Sequence, residues 1–227
     1  MSVLEAIYQP NAQNHQLNIA AGMASELPFV MLGHSMGAAV AMELEATMRR
    51  QQPAWASLFK GCIFLAPFIK VPSLPTPIIW LLRYCIAPLF PEAIVPEWAA
   101  DPHADYEIIW SNEVYRSYVY RDGYPRNPQG LSWGTNIRYG TGVSMLSLME
   151  QTQQLLSQVD YPFIIVHDPK EQCCLIEGSL DLLEQSMTSK DKKRLIEVDG
   201  GLHDLLGNET EAVLRETKAF LADRGLL

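Results

Sequence analysis

The fold of this chain is decided by an apolar run and the tight motif after it, Pro28-Phe29-Val30-Met31-Leu32 and Gly33-His34-Ser35-Met36-Gly37. An unbroken apolar run predicts a buried strand. The pattern G-x-S-x-G directly after such a strand predicts a sharp strand-to-helix turn that presents a serine hydroxyl. Side chains two residues before and two residues after the serine are expected to collide across this turn, and glycine at Gly33 and Gly37 removes the colliding Cβ atoms.

The segment after the turn predicts a helix. Ala38-Ala39-Val40-Ala41-Met42-Glu43-Leu44-Glu45 combines small and apolar side chains, as expected for a helix packed closely on a sheet. Ser35 would then lie at a helix N-terminus, where free backbone N–H groups favour developing negative charge. Ser35 is therefore a candidate nucleophile, and the backbone N–H of Met36 is a candidate donor to an oxyanion.

Three further strand-like runs follow, with helix-like segments between and after them. The apolar runs are Gly61 to Pro67, Pro162 to His167 and the shorter Lys193 to Val198. The helix-like segments late in the chain are Gly178 to Met187 and Glu209 to Leu221. Apolar strands separated by helices imply a mostly parallel sheet with helices on both faces, so the predicted fold class is α/β.

Residues from about Val71 to Leu155 do not fit this alternation. Arg83 and several prolines interrupt the apolar stretch Val71 to Trp98, and a bilayer span needs about 20 continuous apolar residues. We predict a cap inserted between two sheet strands, either a helical packing subdomain or a lid that shapes an apolar pocket. The predicted divisions are 1–70 for the N-terminal part of the core, 71–158 for the cap and 159–227 for the C-terminal part of the core.

Composition narrows the functional class. The 227 residues are 48% hydrophobic and 19% charged, enough for one sizeable core, and the net charge of −9 argues against a nucleic-acid partner and against attraction to anionic membranes. A charged segment followed by an apolar one is missing at the start, so a cytoplasmic location is the default expectation. No zinc-ligand spacing links the cysteines, and we expect no metal and no cofactor; the cysteines are Cys62, Cys85, Cys173 and Cys174.

A serine on such a turn needs a base, which in this arrangement comes last along the chain, after an aspartate or glutamate. His203 fits this order because it follows the last strand, in the loop Asp199 to Leu206 just before the final helix. The other histidines fit less well: His34 is beside the serine and is expected to point elsewhere, His15 precedes the turn, His103 falls in the cap, and His167 ends a strand, where a structural role is expected.

Two residues are candidates for the acid that orients His203. Asp168 comes immediately after the third strand-like run, and Glu171 follows three residues later. Either carboxylate can accept the imidazole N–H and stabilise the imidazolium that forms when the base takes a proton. From the order of residues alone, both remain open.

These motifs resemble those of monoacylglycerol lipase-like serine hydrolases, in the α/β-hydrolase group that includes lysophospholipase-like and serine aminopeptidase-like members. The G-H-S-M-G motif at 33–37 matches, and Phe64-Leu65-Ala66-Pro67 resembles the family's next strand. Arg138-Tyr139-Gly140-Thr141-Gly142 resembles its cap-exit segment, and the residues from His203 to Glu209 resemble its H-x-L-x-x-E tail. The resemblance covers roughly residues 28 to 224.

The resemblance implies an ester hydrolase with a Ser-His-acid triad that acts on a small lipid ester of the monoacylglycerol or lysophospholipid type. The family's acid loop reads approximately H-G-x-x-D and later G-S. Placing His167 on the histidine and Gly178-Ser179 on the G-S puts Glu171 at the aspartate position and Asp168 at the glycine. Glu171 is therefore favoured over Asp168.

One expected part is not found in the sequence. The family's second oxyanion donor comes from an earlier loop with an H-G pair, and none occurs before Pro28. The residues before Pro28 have room for one helix, Ala20 to Glu26, but not for the strands that normally lie beside the strand Pro28 to Leu32. That strand is therefore expected to be an exposed apolar edge of the sheet. The alternatives are a truncated or degenerate hydrolase with little activity, or a binding protein that pairs through this edge. The edge allows a homo-oligomer, and the apolar cap allows peripheral membrane contact.

Overall fold

The computed structural model of the 227-residue chain describes residues 27–51, 53–72, 74–99, 106–123, 126–132 and 136–227. His15, His103 and the predicted helix Ala20 to Glu26 lie outside the described residues. The predicted strand-to-helix turn and all candidate site residues lie inside them.

Within the described residues, four strands form one parallel sheet. They are β1 (Phe29–His34), β2 (Phe59–Leu65), β3 (Phe163–His167) and β4 (Lys193–Glu197). Strands that follow one another along the chain are neighbours in the sheet, in the order β1-β2-β3-β4. Each strand ends within two residues of the run that predicts it, and the α/β fold class predicted from the sequence is confirmed.

Helices connect the strands and follow the last one. They are α1 (Met36–Gln51), α2 (Thr76–Leu81), α3 (Ala87–Leu89), α4 (Tyr106–Ile109), α5 (Glu113–Asp122), α6 (Tyr139–Leu155), α7 (Ile176–Gln185), α8 (Leu205–Asn208) and α9 (Thr210–Asp223). A π-helical turn, Leu82–Ile86, joins α2 to α3. Short 3-10 turns occupy Ala54–Leu58, Leu156–Gln158 and Lys190–Lys192.

Helices cover both faces of the sheet because the strands carry apolar side chains on both faces. On one face, Phe64 and Phe163 pack in a cluster with Met42 of α1. On the other face, Val166 packs in a cluster with Phe220 of α9. All five side chains are buried, and full burial of a side chain of this size contributes about 1.5–3 kcal/mol. These two layers hold the strand ends, and therefore the loops after them, in place.

The long helix that ends the cap starts earlier than the sequence predicts. The apolar pattern of the sequence predicts a helix from about Val143 to Gln158, whereas α6 begins at Tyr139. Gly140 and Gly142 lower the intrinsic helix propensity of this first turn. However, the N–H of Gly140 donates to the carbonyl of Pro91 at 2.9 Å, and a Cβ at Gly140 would lie 3.0 Å from the same oxygen. The close approach to Pro91 favours glycine at this position, and tertiary packing outweighs propensity here.

The segment between β2 and β3 carries many exposed apolar side chains. Among the most exposed are Trp80, Tyr84, Leu89, Phe90 and Trp98, at 58–88% relative exposure. Trp80 and Tyr84 contact each other, with ring centroids 5.8 Å apart. Across the described ranges, no helix is both long enough and apolar enough to cross a membrane.

β1 forms one edge of the sheet among the described strands. Leu32 on this strand is 48% exposed, and Leu27 just before the strand is 59% exposed. By contrast, β3 pairs on both sides, and all five of its residues are buried. In the part of the chain that is described, the edge position and exposed apolar residues therefore agree with the prediction for this strand.

The turn between β1 and α1 holds Ser35 in a left-handed conformation, with φ at 53°. This region is strained for a residue with a side chain and persists only where the surroundings enforce it. The backbone of Ser35 is fixed by three hydrogen bonds: its N–H donates to Leu65 at 2.9 Å, and its carbonyl accepts from Ala38 at 3.0 Å and from Phe68 at 3.1 Å. The end of β2 and the start of α1 thus hold the serine in place.

The two glycines of the turn are not equivalent. A Cβ at Gly33 would lie 2.5 Å from the carbonyl oxygen of Gly37 and 2.6 Å from the Cα of Ala38. A Cβ at Gly37 would meet no atom of the described residues within 4 Å. The expectation that both glycines avoid a collision is therefore right for Gly33 and wrong for Gly37. The α1 backbone crowds the Cβ direction of Gly33, whereas the Cβ direction of Gly37 is open among the described residues.

Replacing Gly33 by alanine is expected to lower the free energy of unfolding by about 1–3 kcal/mol or more, because its Cβ would overlap backbone atoms that cannot move away. Replacing Gly37 by alanine is expected to change it by less than about 1 kcal/mol, since this position is exposed and alanine favours a helix. Urea unfolding of both variants measures the difference. Equal losses in the two variants would contradict the asymmetry.

Candidate active site

The carboxyl ends of the parallel strands meet at one edge of the sheet, and the candidate residues lie in the loops at that edge. Ser35 follows β1, Glu171 follows β3 and His203 follows β4. In an open parallel sheet, ligands bind in the crevice outside these strand ends. The parallel topology therefore brings together residues that are far apart in sequence.

His203 contacts a carboxylate from the loop after β3. Its Nδ1–H donates to Oε1 of Glu171 at 3.1 Å. The imidazole is largely buried, with 13% of the side chain exposed. Within the described residues, the other ring nitrogen, Nε2, forms no hydrogen bond. This arrangement leaves Nε2 of His203 available as a proton acceptor.

Glu171 is a buried carboxylate that accepts several hydrogen bonds. Beside His203, the backbone N–H groups of Cys173 and Cys174 donate to it at 2.5 Å and 2.6 Å, and His167 lies at 3.4 Å. Burial opposes ionisation of this carboxyl group, but the hydrogen bonds from His167, His203 and the backbone outweigh it and lower the pKa of Glu171 to about 2. Glu171 is therefore a carboxylate near neutral pH.

Asp168, the other candidate acid, has different partners. Its Oδ1 accepts the N–H of Lys170 at 2.8 Å, and its Oδ2 accepts the N–H groups of Gly200 and Leu202 at 3.1 Å and 2.8 Å. Among the hydrogen bonds of the described residues, none joins Asp168 to the imidazole of His203. Asp168 instead ties the loop after β3 to the loop that carries His203. Leu202, directly before His203, is held at a φ of 46° in this loop.

His34 is closer to the site than the sequence predicts. The expectation is that it points elsewhere, but its Nε2–H donates to the carbonyl of His203 at 2.7 Å, and the two imidazole rings are 4.9 Å apart. Burial lowers the pKa of His34, because a charged imidazolium is disfavoured there. The strand-to-helix turn therefore contributes a second contact that fixes the loop carrying His203.

His167 supports the acid loop from inside the protein. It is fully buried, and its Nε2–H donates to the carbonyl of Cys174 at 2.9 Å. Its Nδ1 accepts from the hydroxyl of Ser179 at 2.7 Å. These contacts agree with the structural role expected for a histidine at a strand end.

The hydroxyl of Ser35 has one side-chain contact among the described residues, with Sγ of Cys174 at 3.9 Å. Burial raises the pKa of the Cys174 thiol to about 12, so this neighbour is neutral. No hydrogen bond joins the Ser35 hydroxyl to His203 in this structure, as far as the described residues extend. In unliganded serine enzymes, this contact is often long and shortens when substrate binds.

Met36 is the first residue of α1, so its N–H lies among the groups that lack a partner inside the helix. Such a group at a helix N-terminus can donate to an anionic oxygen. The second donor is expected from a loop earlier than Pro28, and residues 1–26 lie outside the described residues. The described residues therefore contribute one candidate oxyanion donor.

A contact between the cap and the histidine loop is not predicted by any sequence motif. Nε1 of Trp110 donates to Oδ2 of Asp204 at 2.7 Å, next to His203. The N–H of Asp204 and the amide of Asn208 both donate to the carbonyl of Ile109, at 3.2 Å and 2.8 Å. These contacts cross about 95 residues of sequence, and no spacing rule links such distant positions. They fix the segment after α4 to the loop that carries His203.

The chain is similar to known proteins over most of its length. A profile of the family described as serine aminopeptidase, S33, matches residues 11–211. Monoglyceride lipase from rat is 25% identical over 204 residues, which is 88% of this chain and 60% of the relative. The human enzyme of the same name is 22% identical over 202 residues, covering 87% of this chain and 59% of the relative. The chain thus spans about 60% of the length of these curated relatives.

Solved structures show the same fold. Monoacylglycerol lipase from Paleococcus ferrophilus superposes with a TM-score of 0.66 at 16% identity, over 98% of this chain and 76% of that one. A soluble variant of monoglyceride lipase from Saccharomyces cerevisiae gives a TM-score of 0.63 at 19% identity, over 92% of this chain and 66% of that one. The chain has the α/β-hydrolase fold, and it belongs to the serine aminopeptidase S33 family.

Proposed function

We propose that this protein is a serine hydrolase that cleaves carboxylic esters of lipids through a triad of Ser35, His203 and Glu171. The observation that supports this most is the 3.1 Å hydrogen bond between the buried Glu171 carboxylate and Nδ1 of His203. That pair lies at the same sheet edge as a serine in a strained turn. A buried acid that orients an imidazole beside a serine is the arrangement that activates a hydroxyl nucleophile.

In the proposed reaction, Ser35 Oγ attacks the ester carbonyl carbon while Nε2 of His203 takes the hydroxyl proton. The Glu171 carboxylate stabilises the imidazolium through Nδ1–H, and the N–H of Met36 donates to the oxyanion. Nε2 then returns the proton to the departing alcohol, which leaves an acyl group on Ser35. Water, activated by the same imidazole, releases the fatty acid and restores the serine.

Glu171 rather than Asp168 is the proposed orienting acid. Glu171 is in contact with the His203 ring, and its low pKa keeps it ionised while His203 gains and loses a proton. Asp168 is proposed to hold the backbone of the histidine loop through Gly200 and Leu202. The two acids therefore have separate proposed roles.

The proposed substrates are monoacylglycerols or lysophospholipids. Relatives of this chain carry the name monoglyceride lipase, and the cap region carries exposed apolar side chains that suit an acyl chain. The alternative is a degenerate hydrolase that retains the triad but has little activity. This alternative is supported by the single candidate oxyanion donor in the described residues, because losing one donor costs about 100–1,000-fold in rate.

Hydrolysis of a monoacylglycerol and of a lysophosphatidylcholine tests the proposed function. Replacing Ser35 by alanine is expected to lower kcat by about 1,000-fold or more, because the nucleophile is removed. Ser144→Ala, at an exposed position on α6, is the matched control and is expected to retain the wild-type rate. Equal rates in the wild type and the Ser35→Ala variant would contradict the proposal, and a wild-type rate close to background would favour the degenerate alternative.

Replacement of the two acids separates their roles. Glu171→Gln is expected to lower kcat by about 1,000- to 10,000-fold, because an amide can hold the wrong imidazole tautomer and cannot stabilise the imidazolium. Asp168→Asn is expected to lower the free energy of unfolding by about 1–3 kcal/mol with a smaller loss of kcat, because buried backbone N–H groups lose a charged acceptor. Steady-state kinetics and urea unfolding of both variants check this. The assignment fails if Asp168→Asn loses more kcat than Glu171→Gln.

We also propose that the cap contacts lipid surfaces through Trp80 and Tyr84. These neighbouring rings are 58% and 61% exposed, and aromatic side chains favour the membrane interface. The net charge of −9 does not favour an anionic bilayer, so the expected surface is a neutral one.

Sedimentation with phosphatidylcholine vesicles tests this contact. The double variant Trp80→Ser, Tyr84→Ser is expected to bind roughly tenfold more weakly, since the loss of two rings removes on the order of 1–2 kcal/mol of burial in lipid. Tyr118→Ser on α5 is the control, because Tyr118 is similarly exposed at 62% but lies on another helix. Equal vesicle binding by the wild type and the double variant would rule out this surface.

A further inference from the structure

Three potential metal ligands of different chemistry lie together in the loops after β3 and β4. They are a carboxylate oxygen of Glu171, Sγ of Cys173 and a ring nitrogen of His203, and these atoms all lie within 4.8 Å of one another. The cysteine spacing in the sequence predicts no such site. The third ligand comes from 30 residues further along the chain, and only the parallel sheet brings it near.

The distances suit a small cation with tetrahedral coordination. With ordinary bond lengths of about 2.1 Å from zinc to oxygen or nitrogen, the two ligand atoms are roughly 3.4 Å apart. Oε1 of Glu171 and Nδ1 of His203 are 3.1 Å apart. A thiolate at about 2.3 Å from zinc would be roughly 3.6 Å from each of them, which is inside the 4.8 Å limit within which the three ligand atoms lie.

The neighbouring Cys174 is a poorer ligand for the same cation. It is 1% exposed, and its sulfur faces the hydroxyl of Ser35 at 3.9 Å. Cys173 is partly exposed and follows Glu171 by two residues, and its sulfur lies within 4.8 Å of ligand atoms of both Glu171 and His203. The two adjacent cysteines therefore differ in what they can bind.

We infer that Glu171, Cys173 and His203 form a binding site for Zn²⁺, and that bound Zn²⁺ inhibits the proposed hydrolysis. Thiolate, imidazole and carboxylate together favour zinc over magnesium or calcium, which prefer oxygen ligands. On binding, the Cys173 thiol loses its proton to solvent. Nδ1 of His203 binds the cation and gives up its proton, and Nε2 takes up a proton, so the imidazole stays neutral. The net release is therefore the one proton of the Cys173 thiol.

This chemistry makes zinc binding and ester hydrolysis mutually exclusive. An imidazole that carries its proton on Nε2 cannot accept the proton of Ser35. The Glu171 oxygen that orients His203 is also taken by the cation. The inhibition, but not the binding, rests on the proposed function, and the two need separate measurements.

Binding is tested with Co²⁺, a spectroscopic substitute for zinc that shows a thiolate charge-transfer absorption in the near ultraviolet. The wild-type protein and the Ser35→Ala variant are expected to show this absorption, and Zn²⁺ is expected to abolish it by displacement. Cys173→Ser is expected to lose the absorption and to bind metal at least about tenfold more weakly, since even an outer-shell partner is worth about 10–100-fold in affinity. Cys85→Ser, a partly buried cysteine of the cap, is the matched control and is expected to retain it.

Inhibition is measured as the ratio of each variant's rate with and without Zn²⁺, and EDTA is expected to restore the wild-type rate. A Cys173→Ser variant that is inhibited at the same zinc concentration as the wild type would overturn the assignment. So would a thiolate absorption that persists in Cys173→Ser, or its absence from the wild-type protein. If the wild-type protein gives the Co²⁺ spectrum but does not hydrolyse the esters, the proposed function is refuted and the metal site is retained.

Discussion

The hydrogen bond between Glu171 and His203 is the contact on which the candidate site depends. It joins the loop after β3 to the loop after β4, and the two bonded residues are 32 positions apart in sequence. A buried carboxylate would be costly without partners, and Glu171 has them in His167, His203 and two backbone N–H groups. These partners keep the carboxylate ionised, so the site has a fixed negative charge in contact with the imidazoles of His167 and His203.

Several other contacts hold the histidine loop where Glu171 can reach it. Asp168 binds the backbone on one side of His203, and His34 donates to the carbonyl of His203 itself. From the cap, Trp110 donates to Asp204. Because each contact comes from a different segment, the position of the His203 imidazole depends on the segments after β1 and β3 and on the cap.

The sequence predicts most of the framework but little of the detail around it. Apolar runs predict the strands, and the G-H-S-M-G motif predicts the strand-to-helix turn. A spacing shared with a known family favours Glu171 as the candidate acid. The crowding at Gly33, the open Cβ direction of Gly37 and the backbone partners of Asp168 depend on distances of a few ångströms, which residue order does not encode. The same holds for the contact from the cap to Asp204 and for the position of Cys173 beside His203.

Reaction with a fluorophosphonate, located by peptide mass spectrometry, tests most directly whether Ser35 is activated by the pair of His203 and Glu171. We predict a single adduct on the peptide that contains Ser35, formed at least about 100-fold more slowly after His203→Ala, because general-base assistance contributes about 100- to 10,000-fold. An adduct on another residue, an unmodified Ser35 in folded protein, or an unchanged rate in His203→Ala would contradict this account.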